Sequence, residues 1–170
     1  MLNKELVTLL NNQINMEWYS AYIYLDIYSY YADANLDGFA NWFNVQTQEE
    51  RDHAMLFVKY LLNNSEKVVL QDVKAPNFSY SNFREPAMAA YEHEKKVTES
   101  INNMYSVAYS LKDFRTMQFL DWFVKEQGEE EKNTEGIIKK YDLFGSDAKG
   151  LYLLDAELAT RLYTPATLIL

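Results

Sequence analysis

Cysteine is absent from the 170-residue chain. That absence excludes a disulfide framework, a thiolate zinc site, a cysteine-ligated iron–sulfur centre and a cysteine nucleophile. Histidine occurs only 2 times, too few for a histidine-rich metal site. Gly is 5 and Pro is 3, and so few breakers in this length argue for long helices joined by few turns. No apolar run approaches the length of a membrane span. The opening residues, Met1-Leu-Asn-Lys-Glu-Leu, carry neither a basic region nor an apolar segment, so a cytoplasmic location is expected. Positive charge is in deficit, 16 Lys and Arg against 25 Asp and Glu, net −9. A surface that negative repels nucleic acid and anionic membranes and attracts cations. What is present, 48% hydrophobic and 24% charged residues, is the composition of a globular protein, with a length that fits one domain over residues 1–170.

Apolar residues recur at helical steps through most of the chain. A first helix is expected over about Asn3 to Asn35, with Asn3 as its N-cap and Leu6, Leu10, Ile14, Ala21, Tyr24, Tyr28 and Tyr31 on its seam. After the turn Asn35-Leu36-Asp37-Gly38, where Asp37 can cap, a second helix is expected over about Gly38 to Asn63. Glu66 to Ser81 lacks helical period and contains Pro76. Such a long connection lets the second and third helices lie parallel. The third helix is expected to begin between Ser81 and Pro86 and to end near Leu111, the fourth to span about Phe114 to Leu143, stopped by Gly145, and a fifth to span about Ser146 to Leu162. The fold class is all-α: a four-helix bundle with a long crossover between helices 2 and 3 and a short fifth C-terminal helix.

Each long helix carries an acid on its apolar seam: Glu17, Glu50, Glu94 and Glu130. His53 lies one helical turn after Glu50, and Gln127 one turn before Glu130, so each shares its neighbour's face. All four acids fall near mid-helix and can meet. Four carboxylates inside an apolar bundle cannot all remain ionised unaided. They either hold protons or surround cations. Carboxylate oxygens with one imidazole suit iron, manganese or zinc better than copper.

The chain resembles the ferritins, most nearly the haem-free bacterial ones, over nearly its whole length. The resemblance rests on Glu17 with Tyr24, on Gln48-Glu49-Glu50-Arg51-Asp52-His53-Ala54, on Tyr91-Glu92-His93-Glu94, and on Trp122-Phe123-Val124-Lys125-Glu126-Gln127-Gly128-Glu129-Glu130-Glu131. It implies a ferroxidase centre with Glu17, Glu50 and His53 on a first iron and Glu50, Glu94 and Glu130 on a second, Glu50 bridging. It implies that Gln127 hydrogen-bonds beside the centre and that Tyr24 is the tyrosine next to it; on its own, Tyr24 reads equally as a core aromatic. It implies a third iron site at Glu49, Glu126 and Glu129, with Glu130 as a candidate shared ligand. On charge pattern alone those three read as a solvated acidic face beside Lys125 and Lys132. Arg51 stands where the haem-binding relatives carry the ligating Met, so haem is not expected. Gly128, mid-helix, is expected to mark close packing or room near the third site, and His93 to be structural or at the surface. The implied activity is oxidation of Fe(II) by O₂ or H₂O₂ and storage of the ferric mineral in a 24-subunit homo-oligomeric shell. A di-iron peroxidase or oxidase without storage is the alternative. A DNA-protecting miniferritin fits poorly with the acidic charge and the fifth helix.

Overall fold

Asn3 does open the first helix: its side chain accepts the Glu5 N–H at 2.8 Å, satisfying one of the free donors of the first turn. The computed structural model describes residues 2–169. Five helices follow in order: α1 (Lys4–Asp33), α2 (Asp37–Asn63), α3 (Glu85–Ser110), α4 (Phe114–Phe144) and α5 (Ala148–Leu158). Asn35, Ser65 and Lys112 take left-handed backbone, φ 57°, 58° and 55°, at the three turns that end α1, α2 and α3. The chain therefore reverses without spending glycine there. Because Asn35 has left the right-handed region, α1 stops at Asp33, two residues short of its expected end.

Residues 64–84 form the crossover, and its hydrogen bonds fix the topology. The Asn11 amide holds the Lys67 carbonyl and the Val69 N–H. Asn15 holds the Asp72 carbonyl, and Tyr31 the Phe83 carbonyl. The crossover thus climbs α1 from its start to its end. α3 then descends antiparallel to α1 and parallel to α2, as the length of the connection implied. α1 packs chiefly on α2, and α3 on α4. Between α2 and α4 stand aromatic pairs, Phe57 with Phe123 at 4.3 Å and Tyr60 stacked on Phe119 at 4.0 Å between centroids.

Two apolar cores fill the ends of the bundle. One gathers Tyr24, Ile27, Tyr31, Phe39 and Phe43 with Leu154 and Leu158 of α5. The other gathers Leu10, Ile14, Phe57, Leu61, Ile101 and Phe123. Ile27 fills the place assigned to Tyr28, which is only half-buried.

Two local expectations are corrected and a third is narrowed. Asp37 is the first residue of α2 and caps nothing; Asp155 of α5 accepts the Gly38 and Phe39 N–H groups, both at 2.9 Å. A Cβ on Gly38 would lie 1.7 Å from the Asp155 carbonyl oxygen, so only glycine lets α5 cross there. α5 begins at Ala148, capped by Asp147, and ends at Leu158, four residues early, because its apolar spacing lapses: Leu154 and Leu158 are buried while Leu162 is 82% exposed. Gly128 is exposed, and a Cβ there meets nothing within 4 Å, so close packing within the chain does not explain it. Gly128→Ala is expected to stabilise the protein by about 1 kcal/mol, measured by chemical denaturation. Destabilisation instead would mean that a neighbouring subunit packs on this position.

Candidate metal centre

Between the two apolar cores lies a buried polar layer. Gln13, Glu17, Ser20, Gln46, Glu50, His53, His93, Glu94, Gln127, Glu130 and Thr134 are each at most 5% exposed. Helical period places them: each sits one or two turns from the apolar seam residues that fill the cores above and below it. Such a layer costs stability unless every group is bonded.

Most of it is bonded. Gln13 donates to Glu17 Oε1 at 2.8 Å, and Ser100 donates back to the Gln13 carbonyl oxygen at 2.5 Å. Gln46 donates to Glu50 Oε1 at 3.0 Å and to Glu130 Oε2 at 2.8 Å. Gln127 donates to Glu94 Oε2 at 3.0 Å, and the Tyr24 hydroxyl donates to Glu94 Oε1. His53 Nδ1 lies 3.5 Å from Glu50 Oε2. One atom stands apart: Glu17 Oε2 is buried with no hydrogen-bond partner among the described residues. Glu17, Glu50 and His53 each aim a ligand atom at a common point, all within 4.8 Å of one another, and so do His53, Glu126 and Glu130. An orphaned carboxylate oxygen beside such a convergence fits a cation as the missing partner.

Protonation follows from burial and neighbours. Burial, reinforced by the Glu50 charge, pushes the Glu17 carboxyl well above its ordinary value. Burial likewise raises Glu130 strongly, with Glu94 and Glu50 adding to it, and raises Glu94 to about 7. Burial, the largest single influence, would raise Glu50, but the His53 charge and hydrogen bond together with the Gln46 hydrogen bond hold it low. Burial alone would lower His53; the Glu50 carboxylate, with Glu17 and Glu130 adding to it, overrides that and lifts it to about 10. Without metal, burial therefore favours the protonated forms of Glu17, Glu94 and Glu130, while Glu50 and His53 favour each other's charged forms.

The residues proposed for a third site are less gathered. Glu126 Oε1 lies 4.0 Å from His53 Nε2. Glu49 is ion-paired with Arg161, and Glu129 lies 3.6 Å from Lys125 at the surface. All three line one cleft of about 320 Å³ that reaches His53 and is walled by Trp122 and by Thr164 to Thr167 of the C-terminal segment. His93 is not at the surface: it is buried, 2.7 Å from the Ser20 hydroxyl, and burial lowers it to about 4, leaving it neutral. Sequence reasoning gave no role to Gln13, Gln46 or Arg161. Gln13 and Gln46 each precede a seam glutamate by four residues, a repeated spacing that could have been noticed. Nothing in the spacing of Arg161 points to the centre.

A family model described as a ferritin-like domain matches residues 7–144. The bacterial non-heme ferritin of Campylobacter jejuni is 41% identical over 155 residues, covering 91% of this chain and 93% of that one. A bacterial non-heme ferritin of Staphylococcus epidermidis is 37% identical, covering 95% and 97%. Among solved structures, an open-pore ferritin from the hyperthermophilic archaeon Archaeoglobus fulgidus superposes with a TM-score of 0.93 at 40% identity, over 95% of this chain and 100% of that one.

Proposed function

Because the chain belongs to the ferritin-like family, we propose that it is an iron-storage ferritin that oxidises Fe(II) to Fe(III) at a paired-metal centre inside the bundle. The observation that carries the centre is the orphaned Glu17 Oε2 beside Glu50 and His53. Glu17, Glu50 and His53 take one Fe(II), and Glu50, Glu94 and Glu130 take a second, with Glu50 shared. Gln127 and Tyr24 hold Glu94 in place from opposite sides. Each Fe(II) gives one electron, and the two electrons with two protons reduce O₂ to H₂O₂, or H₂O₂ to two waters. The carboxylate oxygens are hard donors and favour the Fe(III) product. Protons held by Glu17, Glu130 and His53 leave as iron binds, since only the deprotonated groups can ligate. The Fe(III) then passes to the interior of a 24-subunit homo-oligomeric shell and mineralises there. The protein acts as a single domain in the cytoplasm, without haem, nucleic acid or membrane as partner. No helix among the described residues is long and apolar enough to cross a membrane.

Aerobic Fe(II) loading followed by size exclusion tests this reading. The expected product is a shell of roughly half a megadalton, from a 20.0 kDa chain, carrying far more iron than its binding sites can hold. Iron that saturates at roughly two or three ions per chain would favour a di-iron peroxidase or oxidase without storage.

Glu49, Glu126 and Glu129 are proposed as a third iron site; their shared cleft beside His53 supports it. In a Glu49→Ala, Glu126→Ala, Glu129→Ala variant, the Fe:O₂ ratio should change and later turnovers should slow more than the first. Stopped-flow absorbance with an oxygen electrode reads both. An unaltered ratio with unaltered later turnovers would return the three residues to a solvated face.

A further inference from the structure

Arg161 follows the last residue of α5 by three positions and folds back onto α2. Its guanidinium lies 4.1 Å over the Trp42 ring, pairs with Glu49, and donates to the Trp42 carbonyl at 3.3 Å and to Gln46 Oε1 at 2.9 Å. A guanidinium has donors and no acceptor. The Gln46 atom that faces it must therefore be the carbonyl oxygen, which turns the amide nitrogen inward. There the nitrogen spans two carboxylates on different helices, Glu50 of α2 and Glu130 of α4. With the amide reversed, donors would oppose donors at Arg161, and the carbonyl oxygen would face both carboxylates. Among the described residues, this amide is the one direct hydrogen-bonded link between Glu50 and Glu130. α2 and α4 do not otherwise approach closely at the backbone.

We infer that Arg161 is a positioning residue for iron oxidation: by fixing the Gln46 amide it sets the placement of Glu50 and Glu130, so that docking of the segment after α5 completes the carboxylate pair. The inference rests on reading that pair as iron-binding. It makes a residue outside the bundle part of the centre's geometry while touching no metal. Glu49 gives Arg161 a second anchor, and Trp42 a platform, so the guanidinium is held from three directions.

The test uses the assembled full-length protein freed of iron, with Co(II) as a spectroscopic probe and Fe(II) as substrate. Arg161→Met keeps an unbranched stem over Trp42 and removes every donor. Gln46→Met removes the amide itself. Both variants should assemble, shift the visible Co(II) bands, and slow single-turnover Fe(II) oxidation about tenfold. The double variant should be no slower than either single one, because both remove the same link. Arg161→Lys should recover part of the rate, its ammonium supplying one donor to Gln46 Oε1. Unchanged Co(II) bands and rate in Arg161→Met would overturn the inference. Multiplying losses in the double variant would also overturn it. If Arg161→Met does not assemble, Gln46→Met and Arg161→Lys carry the test, and wild-type Co(II) bands in both would overturn it. A wild-type protein that oxidises no Fe(II) would instead overturn the proposed function, while the Co(II) bands would still decide whether Arg161 positions the pair.

Discussion

Glu50→Ala is expected to lose both halves of the paired centre at once. In the folded chain Glu50 does three things: it converges with Glu17 and His53, it accepts from Gln46, and it holds the His53 imidazolium. Without it, Gln46 keeps only Glu130 as an inner partner, and the largest influence raising His53 from its ordinary value disappears. Fe(II) titration under argon should then show no tight paired binding, and single-turnover oxidation should fall by about a hundredfold or more. On the proposed ligand assignment, His53→Ala should weaken mainly the first iron. An intact two-site titration in Glu50→Ala would show that Glu50 is not shared.

The metal-free protein should melt at progressively lower temperature as pH rises from about 5 to 8. Glu94 is raised to about 7, so the folded state holds a proton that the unfolded state has released. The stability linked to that proton is complete below the ordinary carboxyl value of 4.5 and is lost as pH climbs through 7. A raised acid of this kind accounts for roughly 3 kcal/mol. Glu17 and Glu130 are also raised and act in the same direction. His53 adds to it: its stabilisation is complete below 6.5 and is lost toward about 10. Glu50, held low, has the opposite sign, and its contribution is lost only as pH falls below 4.5. Zn(II) should remove the downward trend by binding the ionised groups, and calorimetry in buffers of different ionisation enthalpy should register net release of protons near pH 7. Identical melting with and without Zn(II) at pH 7.5 would mean that the cluster holds no metal.

The bundle was legible because its signals are long and local. Apolar steps of three and four residues locate four long rods to within two residues at most ends, and Asn3 and Pro86 mark starts that the backbone respects. The four seam acids were legible for the same reason, since a carboxylate inside an apolar stripe interrupts a regular pattern. What sequence could not supply were contacts between distant segments. Asp155 caps α2 across more than a hundred residues of chain, displacing the local candidate Asp37. Arg161 reaches Gln46 over a similar separation. His93 appeared peripheral by its angle on α3, yet α1 covers it through Ser20 and Tyr19. In each case the deciding partner lies on an element whose placement depends on the finished packing.

The long crossover divides the chain into two antiparallel hairpins, α1–α2 and α3–α4, each closed by a turn of only a few residues. Glu17, Glu50 and His53 all belong to the first hairpin. Glu94, Gln127 and Glu130 all belong to the second. Half of the proposed ligand set is thus local to each hairpin and needs little loop-closure entropy to form. A metal ion captured by the first three residues needs only one hairpin in place. An ion shared with Glu94 or Glu130 spans both and acts as a rivet between them. Metal ions of the second kind oppose separation of the two hairpins, and amide hydrogen exchange along the α1–α3 contact should slow more on their binding than exchange within either hairpin.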